Sequence, residues 1–143
     1  MAVSSTENKY KLCIDGEYFN IAIAELHRKA DILDKSAYRS EDGDLHREVI
    51  GTYYNYTLKF GMLCRNKEER EEYNKLFEVL SEPVAYHVVT LPHDGETFDG
   101  YFASVEDDIN YLIDDETKAA FKGLQCNLIS KKPRKVAGAN AVI

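Results

Sequence analysis

Tryptophan is absent from this chain of 143 residues, and cysteine and proline occur only three times each. The cysteines, Cys13, Cys64 and Cys126, are odd in number and widely spaced, which argues against a disulfide framework or a zinc ribbon. Reduced, structural thiols suit a protein made and assembled in a cytoplasm. No run of about 18 apolar residues occurs, so no membrane-spanning helix is expected. The first residues, Met1 to Asn8, lack the charged-then-apolar order of a signal peptide. No internal repeat or low-complexity tract stands out. Positive charge is also scarce: 18 Lys and Arg face 25 Asp and Glu, a net charge of −7. A sequence-independent grip on nucleic-acid phosphates is therefore not expected. The only basic concentration is Lys131, Lys132, Arg134 and Lys135.

Chemistry-bearing patterns are missing as well. His27, His46, His87 and His93 have no zinc-ligand spacing among themselves or with the cysteines. Asp42-Gly43-Asp44 and Asp94-Gly95-Glu96 lack the oxygen ladder of a calcium loop and read as turns. There is no Gly-x-Ser-x-Gly elbow, no cysteine in a nucleophile context and no glycine-rich loop leading into a helix. The carboxylates gather at 68–72, 106–108 and 114–116, as solvated turns and helix faces do. No catalytic, cofactor-binding or metal residue is expected, and the chain reads as a non-enzyme.

What is present is β pattern, rich in tyrosine, with ten Tyr and six Phe. The strongest stretch is 45–60. Ile50, Thr52, Tyr54, Tyr56, Leu58 and Phe60 alternate with Val49, Gly51, Tyr53, Asn55, Thr57 and Lys59, a period of two. β-branched and aromatic residues fit such a pleated surface. Val49 and Tyr53 make the second row less polar than a water-facing one, so a partner chain or a loop of the same chain is expected over part of it.

Around this strand, Tyr10, Leu12 and Ile14 predict a first strand, turned at Asp15-Gly16 into a second beginning at Tyr18-Phe19. Residues 21–34 fit a helical stripe or a strand equally well. Residues 34–46 form a long polar loop, read either as a solvated excursion or as an arm that orders against another subunit. A helix is predicted over about 67–81, N-capped by Asn66 with Glu69 completing a capping box. Its stripe is Tyr73, Leu76, Phe77 and Leu80, and Pro83 marks its end. Strands follow at 84–91, from Thr97 to Val105, from Ile109 to Ile113 and at 119–130. Pro92 to Gly95 and Asp114-Asp115-Glu116 are read as turns, and Pro133 ends regular pairing. The expectation is one domain over 1–143, mainly β, a β-sandwich or rolled barrel with one flanking helix. Residues 1–8 would be a flexible arm and 132–143 a C-terminal tail.

The order of β block, polar loop, Gly51-Thr52-Tyr53-Tyr54-Asn55-Tyr56, a helix ending Leu76-Phe77-Glu78-Val79-Leu80-Ser81-Glu82-Pro83, and a β block closing in Lys131-Lys132-Pro133-Arg134 resembles short tail proteins of phages and prophages of Gram-positive bacteria. It is similar to the tail-tube-like fold of tail tubes, distal tail proteins and related rings. The resemblance covers roughly residues 9–133. It implies a non-enzymatic structural component of the virion, assembled in the bacterial host cytoplasm, in which the sheets of neighbouring subunits join around a hexameric ring. The partners implied are further copies of the chain, other phage tail proteins, and genomic DNA passing without specific binding; no cofactor is implied. Residues 34–46 and 136–143 match positions that bind the next ring in that family. The subunit interface is expected to include Tyr38, Arg39, Leu45, Tyr53, Tyr54 and Tyr56. The alternative is a monomeric binding or adaptor module of tail assembly or the baseplate, with 34–46 as its recognition loop.

Overall fold

The computed structural model describes residues 11–61, 67–112 and 115–138, apart from the side chains of 110–121. The N-terminal arm expected at 1–8, the cap Asn66 and the last residues of the C-terminal tail lie outside these. The strands are β1 (Leu12–Ile14), β2 (Glu17–Phe19), β3 (Ala22–Arg39), β4 (Leu45–Gly61), β5 (His87–Thr90), β6 (Thr97–Leu112), β7 (Asp115–Ser130) and β8 (Lys135–Val136); the helix is α1 (Lys67–Leu80). All strands join one antiparallel sheet, curled into a half-barrel, in the order β2-β1-β5-β6-β7-β4-β3, with β8 also on β4.

The first turn forms as the sequence dictates. Asp15 and Gly16 take φ of 53° and 83°, the pair of positive values that a tight hairpin turn needs. Asp15 also fastens this hairpin to β5. Its N–H donates to Val88 O at 2.7 Å, and its carboxylate accepts from Val88 N at 2.8 Å and lies 2.6 Å from Nδ1 of buried His87. The hydrogen bond from His87, helped by that from Val88, lowers the Asp15 pKa below the usual carboxylate range. A depressed carboxylate adds stability above its unfolded pKa, near 4, and loses it as pH falls through the folded value. Thermal stability should therefore drop on acidification below about pH 4, and Asp15→Asn should flatten that limb. Identical pH profiles for both proteins, measured by thermal melts, would contradict this role.

The core lies on one side of the sheet. Tyr56, Leu58 and Phe60 of β4, Leu124, Cys126 and Leu128 of β7, Leu12, Ile14 and Phe19 of the first hairpin, and Val89 and Leu91 are all buried there. Helix α1 closes this side with Tyr73, Leu76 and Leu80, and Phe77 packs beside them half-buried. The Tyr73 hydroxyl donates to Asp107, and Asn20 N–H donates to Glu72 at 3.0 Å, so the helix is tied both to β6 and to the first hairpin. Burying each large apolar side chain contributes about 1.5–3 kcal/mol, and this stripe rather than capping sets the helix position.

Several expectations need correction. Of the two readings left open for 21–34, the strand is the one found, with 22–34 inside β3. Of the long loop expected at 34–46, only 40–44 turn the chain; 34–39 belong to β3 and 45–46 to β4. Neither row of this ribbon is consistently apolar, so no alternation marks it as strand. The strands expected at 97–105 and 109–113 are one strand, β6, carrying register shifts between Ala103 and Asp108. The turn expected at 114–116 is shorter, since Asp115 and Glu116 already belong to β7 and Asp115 pairs with Leu112. The strand at 84–91 is confined to 87–90. Pro133 interrupts pairing, but Lys135 and Val136 resume it against Thr52 and Gly51, within the segment read as a C-terminal tail.

Candidate assembly interface

The four strands β6-β7-β4-β3 form a sheet whose two hairpins are offset in opposite directions. Phe102, Leu128, Tyr56 and Arg28 stand at one level across it. From that level the β3–β4 hairpin runs to its turn at 40–44, while the β6–β7 hairpin runs the other way to Leu112 and Asp115. Beyond Ile50 the first hairpin is a two-stranded ribbon of five residue pairs, roughly 17 Å long. A free two-stranded ribbon is marginal in water, and this one carries its own fastenings. Arg47 grips Asp34 with both Nε and Nη2, the shortest contact 2.8 Å, next to the register shifts of β3. Tyr38 stacks on His46 with centroids 5.0 Å apart. At the turn, Ser40 N donates to Asp44 O, Gly43 N to Ser40 O, and Arg39 Nη1 to Gly43 O at 2.8 Å, with Gly43 at φ 89°.

Among the described residues, both margins of this four-stranded sheet are open. Among the described strands β3 is an edge along its 18 residues, because their order ends with it. β6 is paired by β5 only from Thr97 to Gly100, which leaves its outer edge without a partner strand from Tyr101 onward. Long edges with apolar residues are templates for pairing with another chain. Ile32 and Leu33 on β3 are 58% and 46% exposed, and Tyr101 at the start of the open β6 edge is 39% exposed.

The sheet face opposite the helix is polar and knit together across strands. Thr57 Oγ1 donates to Asn127 at 3.0 Å, Asn55 Nδ2 to Asp31 at 3.3 Å, and Gln125 Nε2 to Glu106. Lys59 pairs with Glu25 and Lys29 with Asp31, each at 3.6 Å. Acids and bases are interleaved here, so the net negative charge of the chain is not concentrated on this face.

The six predicted interface residues are not brought together. Tyr38 (62% exposed), Arg39 and Leu45 share the outer end of the β3–β4 ribbon. Tyr53 is half-buried on the polar face. Tyr54 is half-buried on the other, its ring 5.5 Å from the Arg28 guanidinium and 5.2 Å from that of Arg134. Tyr56 is a core residue, 2% exposed, because it shares a row with Leu58 and Phe60; no partner can reach it. The exposed apolar residues of the two edges, Ile32, Leu33 and Tyr101, are not among the six, although apolar residues in a charged strand context were the available signal.

Next to Arg134 is a cleft of about 330 Å³, lined by Phe98, Asp99, Ser130 and Lys132 among others. The Arg134 guanidinium is engaged by Asp94 at 3.1 Å and Glu96 at 3.5 Å and lies between the Tyr54 and Phe98 rings, so it clamps the β7–β8 connection onto the sheet. Burial pushes the Cys126 thiol up to about 12 and raises that of Cys13 as well, the opposite of what a nucleophilic thiolate requires. Among the described residues no group of three or more His, Cys, Asp or Glu side chains gathers to hold a metal, and no helix is long and apolar enough to cross a membrane.

Fold and edges together define a mainly β protein with one flanking helix and an unclosed sheet. No protein-family model matches the chain, and no curated protein matches it. Among solved structures it is similar to a chain of the virion of a native gene transfer agent particle, at 17% identity and a TM-score of 0.40, over 96% of this chain and 100% of that one. So distant a likeness carries no weight as to function.

Proposed function

We propose that the protein is a non-enzymatic structural component of a phage-like tail, a tube or closely related ring protein, whose copies join edge to edge into a ring. The observation that carries this is the pair of open margins, β3 and β6, on one four-stranded sheet. Because the sheet has an even number of antiparallel strands, β3 and β6 run antiparallel to each other. Adding the β3 edge of one copy to the β6 edge of the next continues the ladder without a break. Such a head-to-tail contact makes a ring when its rotation closes, and closure covers these two margins where they overlap. The polar face then lines the bore, with α1 outside. Six copies would give about 24 strands and, at about 4.8 Å between strands and a tilt near 36°, a backbone diameter of roughly 45 Å. That leaves room for a DNA duplex after side chains are added. The bases Lys29 and Lys59 already face acids of their own sheet, which suits passage of DNA without retention. The partners are further copies and other tail proteins, and the location is the virion.

An adaptor role has one observation in its favour: the fastened β3–β4 ribbon offers Tyr38 and Leu45 at its end like a preformed probe. The two readings separate in sedimentation velocity across a concentration series. A ring component goes from monomer to a discrete larger species as concentration rises. A protein that stays monomeric throughout, yet binds another tail protein through 38–45, is an adaptor.

A further inference from the structure

The geometry points to a specific register for the join between copies, in which Ile32, Leu33 and Lys29 of one β3 face Phe102, Tyr101 and Glu106 of the next copy's β6. This inference rests on the ring reading and deepens it.

β4 serves as the ruler. On β3, Leu33 is level with Gly51, Ile32 with Thr52 and Lys29 with Asn55. On β6, Tyr101 faces Ile129 in β7, one place beyond the Leu128↔Tyr56 pair, so it is level with Asn55. Phe102 is level with Tyr56, and Glu106, through Gln125, with Lys59. Each of the three matches therefore needs the same slide of four β4 positions between neighbouring copies.

Barrel closure asks for that slide independently. Strands in a barrel tilt, and each copy must slip along its neighbour to stay at the same height. Four strands span about 19 Å, and a tilt near 36° converts this to a slip of about 14 Å, or four residues. A slip of an even number keeps both faces in phase; an odd one would turn core-side residues towards the bore.

The direction of the slip agrees too. Lys131 N donates to Asp99 O, so Gly100 and Ser130 do not exchange bonds with each other, whereas Tyr101 points its own peptide groups at β7. Tyr101 turns its side chain to the polar face. For L-residues this puts β7, β4 and β3 successively to the right of an ascending β6, seen from that face. With the polar face inward and the usual right-handed coil of strands, each copy on the right must slip downward. That brings later residues of its β6 opposite a given residue of β3, as the three matches require. Without a slip, Ile32 and Leu33 would lie against the part of β6 that β5 already occupies.

The side chains then match in kind as well as position. Ile32 and Phe102 share the helix-side face, while Leu33 and Tyr101 share the bore face. Lys29 and Glu106 are both exposed on the bore face, and Lys29 reaches within its own chain to Asp31 at 3.6 Å.

Cysteine pairs test the register. With Cys64 replaced by serine throughout, Leu33→Cys with Tyr101→Cys should give, on mild oxidation, a ladder of covalent oligomers beyond the dimer, while Cys13 and Cys126 stay buried. Leu33→Cys with Ala103→Cys, two residues away, should not, and neither single variant should pass the dimer. Separately, Lys29→Glu and Glu106→Lys should each weaken self-association at least tenfold, and the double variant should return to within about threefold of wild type. Equal ladders from both cysteine pairs, or charge variants without effect or rescue in a protein that still assembles, overturn the register and leave the ring reading standing. A wild-type protein that never leaves the monomer overturns both.

Discussion

Leu76→Asp is expected to abolish the cooperative thermal transition. Leu76 is fully buried at the centre of the α1 stripe, between Tyr73 and Leu80. Truncating a buried leucine alone costs about 2–5 kcal/mol. Placing a carboxylate there adds the penalty of an unpaired buried charge, itself several kcal/mol, or forces its protonation. Against a total stability of about 5–15 kcal/mol, little or nothing remains. Circular dichroism should show loss of the sigmoidal melt, and not only of the helical signal, because the same cluster joins β4, β7 and the first hairpin. A melt within a few degrees of wild type would mean that α1 does not close the sheet.

Ala30→Pro should do the reverse, keeping the fold and removing self-association. Ala137 N donates to Ile50 O beside the Gly51↔Val136 pair, so Gly51 turns its own peptide groups to β3 and exchanges bonds with Leu33. Residues one place out of phase, among them Ile32, Ala30 and Arg28, then point their N–H groups to the open margin. Proline at an edge position of this kind removes a donor that the monomer does not use. In the assembly the same change deletes a ladder bond and sets a ring against the incoming strand. Each 1.4 kcal/mol is tenfold in affinity, and one unmade bond with its desolvated acceptor is worth about that or more. The dissociation constant should rise at least tenfold, with the melting temperature little changed. Unaltered self-association would remove β3 from the interface.

The fold was legible wherever one physical signal dominated. Two residues able to take positive φ marked the turn at Asp15-Gly16, and strict alternation gave β4 with the correct row, Tyr56, Leu58 and Phe60, turned to the core. The spacing of Tyr73, Leu76, Phe77 and Leu80 located α1. The long hairpins were illegible for opposite reasons. In the β3–β4 ribbon neither side is consistently buried, so polar residues occupy both rows and imitate a loop. In β6 the irregular register from Ala103 to Asp108, with Ser104 at φ 54°, breaks the period of two and splits one strand into an apparent two. The expected interface residues were chosen by residue type, which drew tyrosines of the core and of the ribbon into one set. What sets apart Ile32, Leu33 and Tyr101, the edge residues of the proposed join, is pairing, which strand lies beside which and where a neighbour stops. That information arises only when distant segments meet.

The most direct test is negative-stain electron microscopy of the purified protein at a concentration above its association threshold. Rings of uniform diameter with a stain-filled centre, singly or in stacks, are the expected image. A field of isolated small particles, unchanged as concentration is raised, would contradict the idea that these margins exist to be closed by copies of the same chain.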